Sequence, residues 1–411
     1  MMKRTDFLLF FLLLPLFFSC SGSSDEEWGL PPVINVEPPA GEDGVVRRSC
    51  LAYIVADNDL KSYAQADLDE MLAGAVGVPS DCNMLVYVDD YDSPRILRFF
   101  NKNGAGCSET VYTFDREMAS CDVADMRVVL EWVQLNYPAE KFDLIMWSHA
   151  TGWLYDNGRR PSLYSFGDDW VRGENDIRRM NVEELAALLQ SLPQKPERLF
   201  FDACFMQCAE VAYALRNCAD WVIASPAEIP AAGAPYNTIL PLLFNENVGL
   251  QAIMEAYKAA YAGSGTGVVL SAVRCSQMEA LAAVAADVVV GYLGSSMRPQ
   301  YDGLFAYLPG GKWGYSQKFP NYYDVNSVML KYMPYDKYKG VKEALDAAVP
   351  YKVASDMWVS GVIGRNIYLS SSWSGISMYL PKDAALFPNN FNEDFACCEW
   401  YEAAGWREAG W

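Results

Sequence analysis

Two side chains in this sequence, one thiol and one imidazole, are of the types and in the positions that acyl transfer needs. His149, the only histidine among 411 residues, closes the apolar run FDLIMWSHA, and Cys204 stands just after another, in RLFFDACFMQCAE. A thiol becomes a strong nucleophile only as thiolate, and a nearby imidazole favours that form. The same imidazole can then protonate a leaving amine. Taken singly, His149 reads as a hydrogen-bonded structural histidine and Cys204 as a small buried hydrophobe. Their matching places at the ends of apolar runs turn the balance toward catalysis. Zinc is a weaker reading. Cys204 and Cys208 lie one helical turn apart and His149 could join them, but the chain holds no CxxC pair.

Whether the pair can meet depends on the elements around it. CLAYIVAD, NMLVYVDD, FDLIMWSHA, RLFFDAC and DWVIASPAE are short buried runs, and SYAQADLDEMLAGA, VADMRVVLEWVQLNY and NVEELAALLQSL carry helical spacing between them. Asn181, with Glu184 three residues later, forms a capping-box pattern. Strands alternating with amphipathic helices predict an α/β fold: right-handed crossovers and a mostly parallel sheet with helices on both faces. Ligands of such sheets bind at the carboxyl ends of the strands. His149 and Cys204 therefore reach one sheet edge if their strands are neighbours. The stretch 47–245 is expected to be this domain. Residues 246–411 are expected to form a smaller mixed α+β region packed on it, in which RNIYLSSSWSGISMYLP reads as two strands joined by a polar turn.

YIVADNDLKSYAQADLDEM, DLIMWSHATGW, FFDACFMQCAEVAYALRNCADWVIAS and the late GISMYLP together resemble the clostripain family of cysteine peptidases. That family belongs with caspases, gingipains and legumains on the caspase-haemoglobinase fold. The resemblance is dense from about residue 49 to 240 and thin to about 381. It implies a caspase-like sheet, His149 as general base and acid, and Cys204 as nucleophile. The backbone N–H groups near Ala150 and Cys204 would hold the oxyanion. Asp202 matches the acid that the family places at the floor of the S1 pocket, where it pairs with a substrate Arg or Lys. A strand-end cap is its plainer reading.

Two departures from the family pattern stand out. Relatives commonly carry glycine directly after the histidine, where this chain has Ala150-Thr151-Gly152. Alanine keeps the N–H but does not easily take positive φ. The segment SPAEIPAAGAPYN lacks the second aspartate that often completes a basic S1 pocket, and Glu228, a weak S1 candidate, is its only acid. Several relatives are cut in the stretch that here reads LYDNGRRPSLYSFGDDWVRGENDIRRM, which makes Arg159 and Arg160 the candidate processing sites. Proline on the leaving side makes the bond after Arg160 a poor one, so cleavage after Arg159 is favoured. The chemistry requires no cofactor, and no EF-hand loop is present. The alternative function is a catalytically silent caspase-like domain that binds peptides or glycan-associated proteins at the surface.

The N-terminus bears on location. Lys3 and Arg4 precede FLLFFLLLPLFF, which is too short to span a bilayer comfortably and looks like a signal peptide; an uncleaved anchor is the alternative. LFFSC resembles a bacterial lipobox, which places lipid on Cys20 once residues 1–19 are removed. Residues 20–46, polar, acidic and rich in proline, read as a tether. The expectation is an exported lipoprotein at the outer membrane or cell surface of a Gram-negative bacterium. The other cysteines could form disulfides there, with the Cys397-Cys398 pair structural. A net charge of −20, without a Lys/Arg cluster, excludes a nucleic-acid partner. The partners expected are peptide or protein substrates, and the membrane through the lipid on Cys20.

Overall fold

Near-continuous apolar runs need a covering on both sides, and this chain supplies one. The computed structural model describes residues 44–155, 165–171, 173, 176–297, 300–309, 321–387 and 390–411. Its strands are β1 Val46–Val55, β2 Cys82–Asp89, β3 Arg95–Lys102, β4 Ala105–Thr113, β5 Ala139–Trp147, β6 Phe166–Asp169, β7 Arg178–Met180, β8 Arg198–Asp202, β9 Trp221–Ala224, β10 Val269–Arg274, β11 Tyr323–Asp324, β12 Tyr351–Ala354, β13 Met357–Ser360, β14 Arg365–Tyr368 and β15 Ser377–Met378. Nine of them form one sheet in the order β12-β10-β9-β8-β5-β1-β2-β3-β4. Its centre, β9-β8-β5-β1-β2, is parallel, and the outer strands on either side pair antiparallel.

The two-residue period of a strand explains why these runs are apolar throughout. Leu51, Tyr53 and Val55 of β1 face one hydrophobic core, while Cys50, Ala52 and Ile54 face the other. Helix α1 (Lys61–Gly74) covers the second face with Ala64, Leu68 and Met71. Helix α2 (Val123–Asn136) covers the first with Met126, Val129, Leu130 and Val133, the stripe its sequence spacing predicts. Helix α3 (Val182–Ser191) follows on the first face and carries the expected capping box, with the Asn181 N–H donating to Glu184 at 2.9 Å. Helix α4 (Ala209–Ala214) is a short turn after Cys204, buried along its length. Helices α5 (Tyr236–Leu243) and α6 (Leu250–Ala260) complete the α1 side. Helices α7 (Met278–Tyr292), α8 (Val325–Tyr332) and α9 (Tyr335–Ala348) pack on the α2 side.

Four features differ from the sequence expectation or are absent from it. The stretch after residue 246 adds β10 and β12 to the same sheet. RNIYLSSSWSGISMYLP does hold two strands, but they are not partners: β14 pairs with β13, and β15 pairs with β11. The β3–β4 hairpin, closed by Asn103 at φ 55° and Gly104 at φ 83°, lies in a stretch to which the sequence reading assigned no element. None of the ten described cysteines is paired in a disulfide, Cys397 and Cys398 included.

Candidate active site

Parallel neighbours bring the imidazole and the thiol to one edge. β5 and β8 pair with Trp147 opposite Asp202, so His149 and Cys204 each stand two residues beyond the last matched pair. The loop after each strand is fixed by bonds to distant segments. Ser148 Oγ donates to Val55 O at 2.9 Å at the end of β1. The Gly167 N–H donates to His149 O at 2.9 Å, and the Thr151 N–H to Ser165 O at 3.3 Å. Ala150, between those two bonds, is bridged to Phe166 and is buried. The left-handed residue of this loop is Gly152, at φ 69°; Ala150 is not among the positive-φ residues, so alanine carries no backbone strain there. A Cβ on Gly152 would come within 2.5 Å of Phe205 O, so the histidine loop lies directly against the thiol loop.

The thiol sits in a tight turn. Phe205, the next residue, has φ 61°, a conformation that costs an L-residue about 1–3 kcal/mol and persists only when its surroundings fix it. Here they do. The Phe205 N–H donates to Ala227 O at 2.9 Å, the Gln207 N–H to Ser225 O at 3.0 Å, and the Phe205 ring stacks on Tyr322 at 4.4 Å. The Tyr322 hydroxyl in turn donates to Thr151 O at 2.7 Å, joining the two loops. Gln207 Nε2 donates to Ser271 O at 2.9 Å, and the Ser377 N–H donates to Gln207 O at 3.0 Å.

The Ile229 N–H donates to Cys204 Sγ at 3.4 Å, but burial dominates and pushes the thiol up to about 12. His149 Nε2 lies 2.7 Å from Asp59 Oδ1, with side chains 34% and 71% exposed respectively. Among the described residues, His149 and Cys204 share no hydrogen bond, and neither the Ala150 nor the Cys204 N–H donates one. Asp59 was not singled out in the sequence. Its only sequence signal is its place two residues past Asp57, where the first apolar run ends.

Asp202 is 3% exposed. Its Oδ2 accepts from the Ala234 N–H at 2.9 Å and from the Tyr236 hydroxyl at 2.8 Å. Glu228 lies beside the thiol, next to Ile229 and close enough for its charge to raise Cys204, but its oxygens are taken up by the β13–β14 loop: Oε1 accepts from the Val362 N–H at 3.0 Å and Oε2 from Ser360 Oγ. Cys20, Arg159 and Arg160 lie outside the described residues. Among the described residues no group of three or more His, Cys, Asp or Glu side chains is arranged to hold a metal ion, and no helix is long and apolar enough to cross a membrane.

Comparisons with known proteins agree with this fold. The family model described as the Clostripain family matches residues 52–411. A secreted C11 cysteine protease from Bacteroides thetaiotaomicron, solved with an irreversible peptide inhibitor, superposes with a TM-score of 0.76 at 31% identity, over 88% of this chain and 99% of that one. An inactive zymogen C11 protease from Parabacteroides distasonis gives 0.75 at 25% identity, over 88% and 98%. Clostripain from Hathewaya histolytica is 27% identical over 217 residues, 46% of this chain, so the chain spans only 40% of that relative's length.

Proposed function

Because the chain belongs to the clostripain family of cysteine peptidases, we propose that it cleaves peptide bonds through His149 and Cys204, after Arg or Lys. The observation that carries the reading is the β5–β8 register, which sets the only imidazole and a thiol at matching positions on one sheet edge. Cys204 Sγ attacks the scissile carbonyl carbon, and His149 takes the thiol proton. The imidazolium returns it to the leaving amine as the C–N bond breaks and a thioester forms on Cys204. Water, deprotonated by His149, then hydrolyses the thioester and frees the thiol. The Ala150 and Cys204 N–H groups receive the oxyanion, a role supported by their having no acceptor among the described residues. Asp202 would meet the P1 cation in S1.

Burial raises the Cys204 thiol, so an imidazole facing it is what would favour the thiolate. A cut after Arg159 in the chain's own loop is the proposed processing step. The alternative, a silent peptide-binding domain, rests on the departures at Ala150 and around Glu228; of these, Ala150 does not have positive φ. Labelling with an acyloxymethyl ketone bearing P1 Arg separates the two readings. Covalent modification at Cys204 is expected, and its absence in a processed, folded protein would leave the binding domain. Export with lipid on Cys20 is the proposed location, motivated by LFFSC. Cys20→Ser should move the protein to the soluble fraction, and membrane retention of that variant would reject the lipid.

A further inference from the structure

Asp202 does not stand alone. Asp67, on α1, is 1% exposed and lies against the same backbone: a Cβ built on Gly233 would fall 2.8 Å from Asp202 Oδ2 and 3.0 Å from Asp67 Oδ2. Three elements converge to make this pair. Trp147 and Asp202 are register partners on β5 and β8, and they face the α1 side with Phe200. Asp67 belongs to the buried stripe of α1, with Ala64, Leu68 and Met71. Gly233 takes φ 60° and brings its backbone between the two carboxylates. Its carbonyl is held by the hydroxyls of Tyr257 at 3.0 Å and Tyr261 at 2.6 Å.

The pair has donors but no cation. Trp147 Nε1 donates to Asp67 Oδ2 at 2.7 Å, and Ala234 and Tyr236 donate to Asp202. Among the described residues no Lys or Arg pairs with either carboxylate, and the buried Asp202 Oδ1 accepts no hydrogen bond. Two buried carboxylates without a counter-charge are costly. Burial accordingly raises both groups above the usual carboxylate range, and the Asp202 charge raises Asp67 further.

The approach to it begins at the thiol. The Ile229 N–H touches Cys204 Sγ, and four residues later Gly233 touches both acids. Asp202 itself precedes Cys204 by only two residues, a span of at most about 7 Å even for an extended chain. A long basic side chain whose carbonyl sits at the thiol covers that distance.

We propose that Asp67 is the second carboxylate of S1 and, with Asp202, determines selectivity for a guanidinium or ammonium at P1. The acid missing from the segment after Cys204 is then supplied by α1. This assignment rests on the peptidase reading above, and the test separates the two. Wild type, Asp67→Asn and Asp202→Asn are compared on peptide pairs that differ only in arginine or its neutral analogue citrulline at P1. The expected result is an arginine preference in wild type that each variant lowers about ten- to a hundredfold in kcat/KM, chiefly through KM, with citrulline turnover unchanged. An Asp67→Asn enzyme that keeps the wild-type ratio while Asp202→Asn loses it overturns the role of Asp67 and leaves the peptidase reading standing. A wild type that cleaves both peptides equally overturns the S1 role of both acids and leaves the peptidase reading standing, whereas one that cleaves neither overturns the peptidase reading. Should Asp67→Asn fail to fold, Asp67→Ser removes the charge without adding volume and is read in the same way.

Discussion

Asp59 Oδ1 lies 2.7 Å from His149 Nε2, so the ring nitrogen left for the thiol is Nδ1. Asp59 follows Asn58, which is itself pinned: its Nδ2 donates to Asp168 O at 2.6 Å and its Oδ1 accepts from the Leu60 N–H at 2.8 Å. A carboxylate held in this way orients the imidazole and stabilises it once protonated. Because Asp59 is largely exposed, its contribution is discounted by solvent screening. Asp59→Ala should lower kcat about three- to tenfold with little change in KM. Asp59→Asn, which retains an acceptor, should lose less. Equal kcat in all three enzymes would remove the role.

Cys204→Ala and His149→Ala should each reduce peptide cleavage on the order of a thousandfold or more, since each removes one member of a unit. Neither should change the far-UV spectrum or melting, because both sites lie in loops beyond the strands. A Cys204→Ala protein that cleaves at the wild-type rate would place the nucleophile elsewhere.

Processing gives a third expectation. The segment between Tyr155 and Ser165 follows the histidine loop directly, and it contains Arg159 and Arg160. N-terminal sequencing of active protein should find a new terminus at Arg160, absent from Cys204→Ala. A fully active enzyme that stays one intact chain rejects self-cleavage.

Glu210 supplies a pH test of the fold. It is 1% exposed, Oε1 accepts from the Tyr379 N–H at 2.7 Å, and burial pushes the carboxyl up from 4.5 to about 7. The native state therefore holds a proton that the unfolded chain has released, and this contribution to stability is complete below the ordinary glutamate range. It is lost as pH rises toward 7 and beyond. Glu210→Gln, which keeps the acceptor and cannot ionise, should show a flatter loss of stability between pH 5 and 8 in denaturant titrations (a window of roughly three units about the shifted value). Parallel curves for the two proteins would mean that Glu210 ionises normally.

Gly152→Ala should destabilise the protein by at least about 2 kcal/mol, through positive φ and a clash with the Phe205 carbonyl. Labelling of Cys204 should slow in parallel, because the clash separates the two loops. An unchanged denaturation midpoint and labelling rate would show that the contact is not needed.

Much of this arrangement is legible in the sequence, and what is not has identifiable causes. The strands carrying His149 and Cys204 show as runs because both faces of the sheet are covered, and Asn181 with Glu184 marks a helix start through purely local chemistry. The β3–β4 hairpin went unassigned, although Asn103-Gly104 is the dipeptide its turn requires. Asp67 is hidden by its helix. One acid among Ala64, Leu68 and Met71 looks like an ordinary irregularity of an amphipathic face, and only the fold shows that this position meets Trp147 and Gly233. The surroundings of Glu228 are hidden for another reason: Ser360 and Val362, far along the chain, hold its carboxylate. Ala150 raised a concern about strain that belongs to Gly152, two residues on.

The bond between the Ser377 N–H and Gln207 O ties the turn after Cys204 to a residue 170 positions later. Timing follows from that distance. While the chain is being synthesised, the thiol emerges long before the strand that braces it, so the growing polypeptide has no finished turn with which to attack its neighbours. A chain truncated before Gly375 should accordingly react at Cys204 no faster with a peptide ketone than a simple thiol does. Reaction at the full-length rate would show that the late strand is dispensable, and that something other than chain order keeps the nascent enzyme quiet.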